Sequence, residues 1–178
     1  MPMGWWSGYL RHVRHGGGCY RIFVPRVCCR PCRKSHVVLP AFVLVGRLDV
    51  AESVGEVIAE VTAGRCGVRP VAERLGVPHT TARGWWRRFA ARAAEWATAF
   101  AALAVELGGE PVRPAGRPEG WAVEAITVAW RAAAGLPGWM WLGCWRFVSM
   151  VVGGKLIATN TNSPWLIVGN RRFMPPVP

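Results

Sequence analysis

Two groups of residues in this chain have types and a spacing that could do chemistry. The first is Cys29-Arg-Pro-Cys32, in which two thiols separated by two residues can reach one tetrahedral zinc ion. His12 and His15 repeat this two-residue gap, so one interpretation is a site with two histidine and two cysteine ligands. The other interpretation is that the cysteines are reduced thiols that bind no metal.

The second group consists of side chains between residues 69 and 92 that could contact DNA. Apolar residues over 71–75 favour a short helix, Gly76 suits a tight turn, and Pro78 suits the start of a second helix. Such a helix-turn-helix would present one face of its second helix to a DNA major groove, although two helices that merely pack together explain the same pattern. We predict base or groove-edge contacts from His79, Thr80, Arg83 and Arg87, and phosphate contacts from Arg69, Arg88 and Arg92.

The charge of the chain is strongly basic and unevenly distributed. Its formal net charge is +12, and residues 1–48 carry eight Arg or Lys side chains and no carboxylate. Residues 65–92 carry seven arginines against a single acid, Glu73. Two basic surfaces of this kind predict a polyanionic partner, double-stranded DNA, whose phosphates are contacted at two places.

Hydrophobic periodicity predicts the elements that position these residues. The alternation over 20–27 indicates a strand, and residues 37–39 suit a returning strand. Asp49 suits an N-cap with Glu52 three residues later, and the helix that they start would end at Gly64. The predicted fold is mainly α: a small β-ribbon (a degenerate zinc ribbon), then a three-helix helix-turn-helix domain, then a C-terminal Trp-rich helical region.

An apolar stripe with heptad spacing extends the third helix. The stripe continues from Ala82 to Leu107, and an unbroken helix over 78–107 would be about 45 Å long. One interpretation is that this helix pairs with its copy in a homodimer. The other interpretation, which the lack of flanking Glu and Lys pairs favours, is that the stripe packs on the C-terminal helices of the same chain, with a bend near Gly84 or in the Ala-rich run.

The chain is expected to divide into four parts. The Gly- and Pro-rich stretch 108–120 is a predicted linker. The segments 121–134 and 139–152 are predicted helices, and their tryptophans are expected to form a core or a partner interface. The predicted parts are 1–48 (zinc-ribbon-like module), 49–107 (helix-turn-helix domain with an extended third helix), 108–120 (linker) and 121–178 (Trp-rich region with an extended tail).

Compartment and catalysis are predicted from what the sequence does not contain. The first residues lack the apolar core of a signal peptide, and the apolar segment 136–152 is shorter than the roughly 20 residues of a membrane span. We therefore expect a cytoplasmic protein with no membrane partner. No catalytic triad, phosphate-binding loop or spaced set of carboxylates is found, so we expect a protein that is not an enzyme.

The order of these motifs resembles a family of bacterial mobile-element proteins. The segments that carry the likeness are RVCCRPCRKSHVVLP, GRLD, GVRPVAERLGVPHTTARGWWRRF and WRFVSMVVGGKLIATNTNSPW. Members combine a zinc ribbon with a helix-turn-helix and are often encoded beside transposases or integrases. The resemblance implies that Cys29 and Cys32 are the second zinc pair and that the first pair falls at Met3 and Trp6, which are not zinc ligands.

These expectations combine into three hypotheses for function. The first is a non-catalytic, sequence-specific DNA-binding protein that acts as an accessory or regulatory protein of a transposable element. The second is an assembly subunit that binds a transposase, an integrase or its own copy through the Trp-rich region. The third is a small membrane-associated protein that uses residues 136–152.

Overall fold

The structure, a computed structural model, describes residues 3–29 and 33–158 of the chain. The predicted extended tail lies outside the described residues, as does Cys32. Within them the chain forms an N-terminal three-stranded antiparallel sheet followed by six helices. The strands are β1 (Met3–His15), β2 (Gly18–Cys29) and β3 (Ser35–Val37). The helices are α1 (Ala51–Thr62), α2 (Val68–Arg74), α3 (His79–Ala90), α4 (Ala93–Glu106), α5 (Pro118–Ala134) and α6 (Cys144–Val151). The expected mixture of helices with a small β-ribbon is thus confirmed.

A long hairpin of β1 and β2 dominates the N-terminal part. His15 pairs with Gly18, which leaves Gly16 and Gly17 as a two-residue turn. Both glycines have positive φ, +56° and +78°, as the favoured type I′ hairpin turn requires. The predicted strand over 20–27 and the returning strand near residue 37 are confirmed as β2 and β3, whereas β1 was not predicted in its own right.

The turn end of the hairpin is fastened to the segment before α1. Arg14 forms a parallel bridge with Asp49, and its guanidinium pairs with that carboxylate through Nε–Oδ1 at 2.6 Å and Nη2–Oδ2 at 3.1 Å. Beside this ion pair, Val13, Val43 and Val50 form a small apolar cluster. The hairpin is therefore held by both an ion pair and a local core.

The prediction that Asp49 caps the N-terminus of α1 is wrong, because the carboxylate of Asp49 is bound by Arg14. The N-cap residue is Val50, which makes no side-chain capping bond. Asp49 is buried with its carboxylate on Arg14, and Glu52 forms an ion pair with Arg146 of α6. Because tertiary partners occupy both carboxylates, neither one caps the helix.

The predicted extended third helix is two helices. The helical stretch is interrupted at Ala91 and Arg92, and Arg92 has φ −124° and ψ 14°. α4 then packs against α5, its most extensive helix–helix contact in the described structure. The apolar stripe, including Phe89, Trp96 and Phe100, is buried inside the chain. The expectation of internal packing is confirmed.

The C-terminal helices are part of the same hydrophobic core as α1, α2 and α3. That core extends from Leu44 to Ile157 without separating into two clusters. The indole of Trp145 on α6 lies against Gly55 of α1, and α5 begins at Pro118, so the last three residues of the predicted linker 108–120 are helical. The stretch before α5 therefore connects helices that share one hydrophobic core.

Candidate nucleic-acid interface

A tight turn joins α2 to α3. Gly76 has φ +65°, which favours glycine, and its N–H donates to the carbonyl of Glu73 at 3.1 Å. The next residue, Val77, donates its N–H to the carbonyl of Ala72 at 3.0 Å and is buried at the corner between the helices. These two bonds form a Schellman motif, which ends a helix and fixes the direction of the chain that follows. The predicted turn at Gly76 is confirmed.

α3 has a buried face and an exposed face. Ala82, Trp85 and Phe89 are buried against the rest of the domain. At a helical spacing of three and four residues, the opposite face presents exposed side chains. Those predicted to contact DNA from this face or the start of the helix are His79, Thr80, Arg83 and Arg87, and all four are exposed.

The basic side chains on α3 lack acidic partners. Within the described residues, Arg83, Arg87 and Arg88 form no ion pair. Arg88 lies on the flank of the helix, where a Cβ added to Gly84 would come within 3.0 Å of its Nη1. The exposed face of α3 therefore concentrates positive charge that the described part of the protein leaves uncompensated.

Two other arginines predicted to meet phosphate are engaged differently. Arg92 is at the α3–α4 junction with 11% of its side chain exposed; it bonds to Glu95 at 3.0 Å and lies 4.6 Å over the ring of Trp96. Its phosphate assignment is not kept, because the side chain stabilises the junction between the helices. Arg69 is exposed on α2 and pairs with Glu73 at 3.0 Å, a contact weak enough to leave the guanidinium accessible.

The acidic residues of α1 form a network that is separate from these basic groups. Arg74 of α2 donates to both Glu56 and Glu60 at 2.6 Å. Its hydrogen bond lowers the pKa of Glu60, helped by a bond from the thiol of Cys66. The carboxylates on this side of α1 are therefore held by α2, and the uncompensated positive charge stays with α3.

The tip of the hairpin lies against the turn between α2 and α3. A Cβ added to Gly76 would come within 3.5 Å of the Cα of Gly17, so the tip of the hairpin touches the α2–α3 turn. On β1, Arg11 donates to the carbonyl oxygens of Leu44 (2.8 Å) and Arg47, which ties the hairpin to the segment before α1.

The electrostatic surroundings of Arg47 are unusual. Its Nη2 donates to the carbonyl of Ile157 at 3.2 Å, and its buried Nε has no hydrogen-bond partner among the described residues. Burial lowers the pKa of Arg47, and the like charge of Arg88 lowers it further.

The proposed histidine ligands cannot join Cys29 at a metal. β1 pairs Met3 with Cys29 and His12 with Arg21, which puts His12 nine residues farther along the strand, or about 30 Å away. His15 is at the opposite end of the hairpin, next to its turn. Within 3–29 and 33–158, no three His, Cys, Asp or Glu side chains are grouped to hold a metal ion. The His12 and His15 alternative is wrong, and Cys32 lies outside the described residues.

Most of the C-terminal tryptophans are structural. Trp139 is buried, Trp130 donates its Nε1–H to the carbonyl of Leu142 at 2.6 Å, and Trp145 packs on α1. Met140 and Trp141, in the connection between α5 and α6, are the exception, with 75% and 70% of their surface exposed. Within the described residues, Met140 and Trp141 are therefore the exposed part of the predicted partner interface.

Cys144 at the start of α6 is not an activated thiol. Burial raises its pKa to about 12, against a small opposing effect of Arg131. The thiol stays protonated near neutral pH, whereas nucleophilic cysteines need a lowered pKa. We assign Cys144 to packing.

Comparison with known proteins does not narrow these assignments. No protein-family model, curated protein or solved structure matches the chain. In the described structure, no helix combines the length and the apolar character needed to cross a membrane.

Proposed function

We propose that this protein is a non-catalytic, sequence-specific DNA-binding protein whose α2–turn–α3 segment is a helix-turn-helix. α3 is its recognition helix, with Arg83 and Arg87 directed at base edges in the major groove. His79 and Thr80 at the start of the helix contact the groove edge, and Arg69 and Arg88 contact phosphates. From the motif order described above, we further propose that it serves a transposable element as an accessory or regulatory protein.

One observation carries the DNA-binding proposal: the exposed face of α3 holds Arg83 and Arg87 without any acidic partner among the described residues. A surface that serves only solubility mixes both signs of charge, as α1 and α2 do through Arg74 and its two glutamates. Arginine on a groove-entering helix makes the commonest specific base contact, a bidentate pair to guanine. The short helices and the Schellman turn at Gly76 support this proposal, because a helix-turn-helix joins its two helices by a tight turn that often contains glycine.

The experiment that tests this proposal is selection of duplexes from a random pool, followed by affinity measurements on the selected and a scrambled duplex. Arg83→Ala is expected to reduce the preference for the selected duplex about 10- to 100-fold, because a bidentate base contact contributes about 1–3 kcal/mol of discrimination. The matched control is Arg113→Ala, which removes the same charge from an exposed position in the α4–α5 connection. It is expected to leave the preference unchanged.

Two outcomes would count against this assignment. If Arg83→Ala keeps the wild-type preference, α3 does not read bases through that residue. If the wild-type protein binds selected and scrambled duplexes equally over a salt series, the binding is general attraction to polyanions. The mobile-element role has its own test, which is preference for the ends of the neighbouring element over random DNA.

A second candidate function rests on the exposed pair Met140 and Trp141. Exposed large apolar side chains at one connection suit a small protein interface, so assembly with a transposase or a second copy would use this site. Sedimentation of the protein alone and with duplex separates the candidates, because self-assembly through this pair would not require DNA.

A further inference from the structure

We propose that the outward side of the β1–β2 hairpin binds an unpaired nucleic-acid strand, which stacks a base on Phe23 and places a phosphate on Arg21. This inference goes beyond the proposed function, because the bases of a duplex are stacked on one another and leave no free face for an aromatic side chain. The hairpin and α3 are different elements, so the two kinds of binding can be altered separately.

Strand pairing places four side chains on one side of the hairpin. Leu10 is directly opposite Phe23, and His12 is directly opposite Arg21. Directly paired residues point to the same side of a sheet, and so do residues two positions apart along one strand. The four residues therefore form two neighbouring cross-strand pairs, which we call the outer face.

The other side of the hairpin packs on the protein. Val13 and Val24 occupy the alternate positions of the two strands and are 4% and 0% exposed. On the outer face, by contrast, Leu10 and Phe23 are 59% and 60% exposed. The histidine and the arginine of the other pair are exposed as well. The outer face is therefore open along both of its cross-strand pairs.

The ring of Phe23 lies over a glycine. Gly8 precedes Leu10 by two positions on β1 and pairs with Pro25, so it is diagonal to Phe23 on the same side of the sheet. The Cζ, Cε1 and Cε2 atoms of the ring fill the space that a Cβ of Gly8 would occupy. The ring therefore leans along the sheet instead of projecting from it. A base that stacks on a ring already held in this way loses little side-chain entropy.

The charge beside this ring is positive and has no acidic partner. Within the described residues, Arg21 forms no ion pair. The first 48 residues contain eight Arg or Lys side chains and no carboxylate, and the first acid of the chain, Asp49, is bound by Arg14. An anion on the outer face therefore meets a free guanidinium and is not repelled by a neighbouring carboxylate of the hairpin.

The outer face combines an apolar pair with a basic pair, and an unpaired strand matches both. The backbone of a duplex supplies negative charge but no apolar surface for Leu10 and Phe23. Proteins that bind single strands place aromatic side chains under successive bases and basic side chains along the phosphates. Phe23 and Arg21 are two positions apart on β2, so one strand can contact both.

A bilayer of anionic lipid is the other partner that offers both negative charge and apolar surface. Binding to a bilayer depends on apolar area that enters the acyl region. The ring of Phe23 leans on the sheet over Gly8 and does not project, so it is better placed for stacking than for insertion.

The first test measures binding of labelled oligothymidylate and oligouridylate by fluorescence anisotropy. Phe23→Ala is expected to weaken binding of the preferred strand about 5-fold or more, which corresponds to one base stacked on an aromatic side chain. Phe23→Tyr keeps a ring for stacking and should retain most of the affinity. The matched control is Tyr9→Ala, which removes a 42% exposed aromatic side chain from the other side of the same hairpin. It should leave the affinity unchanged.

The second test separates the phosphate contact from the base contact. Arg21→Gln is expected to lower the slope of log K against log salt concentration by about 0.7, the contribution of one phosphate of a single strand. Arg113→Gln removes an exposed arginine from the α4–α5 connection and should leave the slope unchanged. An abasic oligonucleotide has phosphates but no bases, so wild type and Phe23→Ala should bind it equally.

The outcomes separate this inference from the proposed function. If Phe23→Ala matches Tyr9→Ala, or weakens the abasic strand as much as the normal strand, the stacking site is overturned even when Arg83 governs duplex preference. Binding to vesicles of phosphatidylcholine and phosphatidylserine that depends on Phe23, without such dependence for either strand, would also overturn it. If no duplex is selected but a single strand binds through Phe23, this inference stands and the assignment of α3 falls.

Discussion

Gly55→Ala is expected to destabilise the protein by about 3 kcal/mol and to lower its Tm by about 9 °C. Gly55 is buried in the middle of α1, and the indole of Trp145 from α6 occupies the space beside it. A Cβ at this position would lie 1.9 Å from Cδ2 and 2.0 Å from Cγ of that ring. The indole must leave its place, and the α1–α6 contact opens with it. Thermal and urea unfolding measure the loss.

Gly120→Ala is the matched control for this substitution. Gly120 lies in the first turn of α5, and a Cβ there would meet no atom within 4 Å. Alanine should therefore stabilise the protein by up to about 1 kcal/mol through helix propensity alone. Adding Trp145→Leu to Gly55→Ala should recover part of the loss, because the ring is no longer present. If the Gly55→Ala variant is as stable as the Gly120→Ala variant, the described packing of Trp145 from α6 on Gly55 of α1 is contradicted.

Asp49→Ala is expected to cost about 2 kcal/mol and to loosen the hairpin. Asp49 is 5% exposed and holds the Arg14 guanidinium through both oxygens. Removal of the Asp49 carboxylate leaves Arg14, whose side chain is 29% exposed, without a counter-charge. Because solvent reaches that guanidinium, the expected cost is below the 3–5 kcal/mol of a fully buried pair. Chemical unfolding gives the cost, and amide exchange over β1 and β2 reports the loosening.

The control for Asp49→Ala replaces the acidic residue of an exposed ion pair with alanine. Glu73→Ala removes the carboxylate that Arg69 contacts on α2, where both side chains are more than half exposed. Its effect should stay within about 0.5 kcal/mol, as for most surface ion pairs. Equal effects of the two substitutions, with unchanged exchange in the hairpin, would show that the Arg14–Asp49 pair does not fasten β1.

Local signals in the sequence were sufficient for part of the fold. The turn at Gly76 was predictable, because only glycine takes its φ of +65° without strain. The burial of Phe89, Trp96 and Phe100 followed from helical spacing, which assigns residues to a face whatever they pack against. The adjacent glycines at 16 and 17 carried a hairpin signal too, and this signal could have located β1.

Tertiary partners explain what sequence reasoning missed. Asp49 has the side chain of an N-cap, yet a partly exposed arginine from a distant strand binds it. The break at Arg92 contains neither glycine nor proline, and its stabilising contacts to Glu95 and Trp96 exist only in the folded chain. Hairpin register, which separates His12 from Cys29, is likewise a property of strand pairing and not of residue spacing.

For the candidate interface, the sequence predicted residue types better than it predicted roles. The exposed positions on α3 were as expected, since helical periodicity assigns them. The contacts of Arg92 at the α3–α4 junction were not predicted, because such a use of an arginine has no local signature in the sequence.

The central claim, that the outward face of α3 contacts DNA, is tested most directly by site-specific photo-crosslinking. A benzophenone amino acid is placed at Thr80 on α3 and, as a matched control, at Thr98 on α4; both positions are exposed. With the selected duplex, irradiation is expected to link DNA to the variant at position 80 and not to the variant at position 98. Linkage at 98 without linkage at 80 would contradict the account, because the duplex would then lie against the wrong helix.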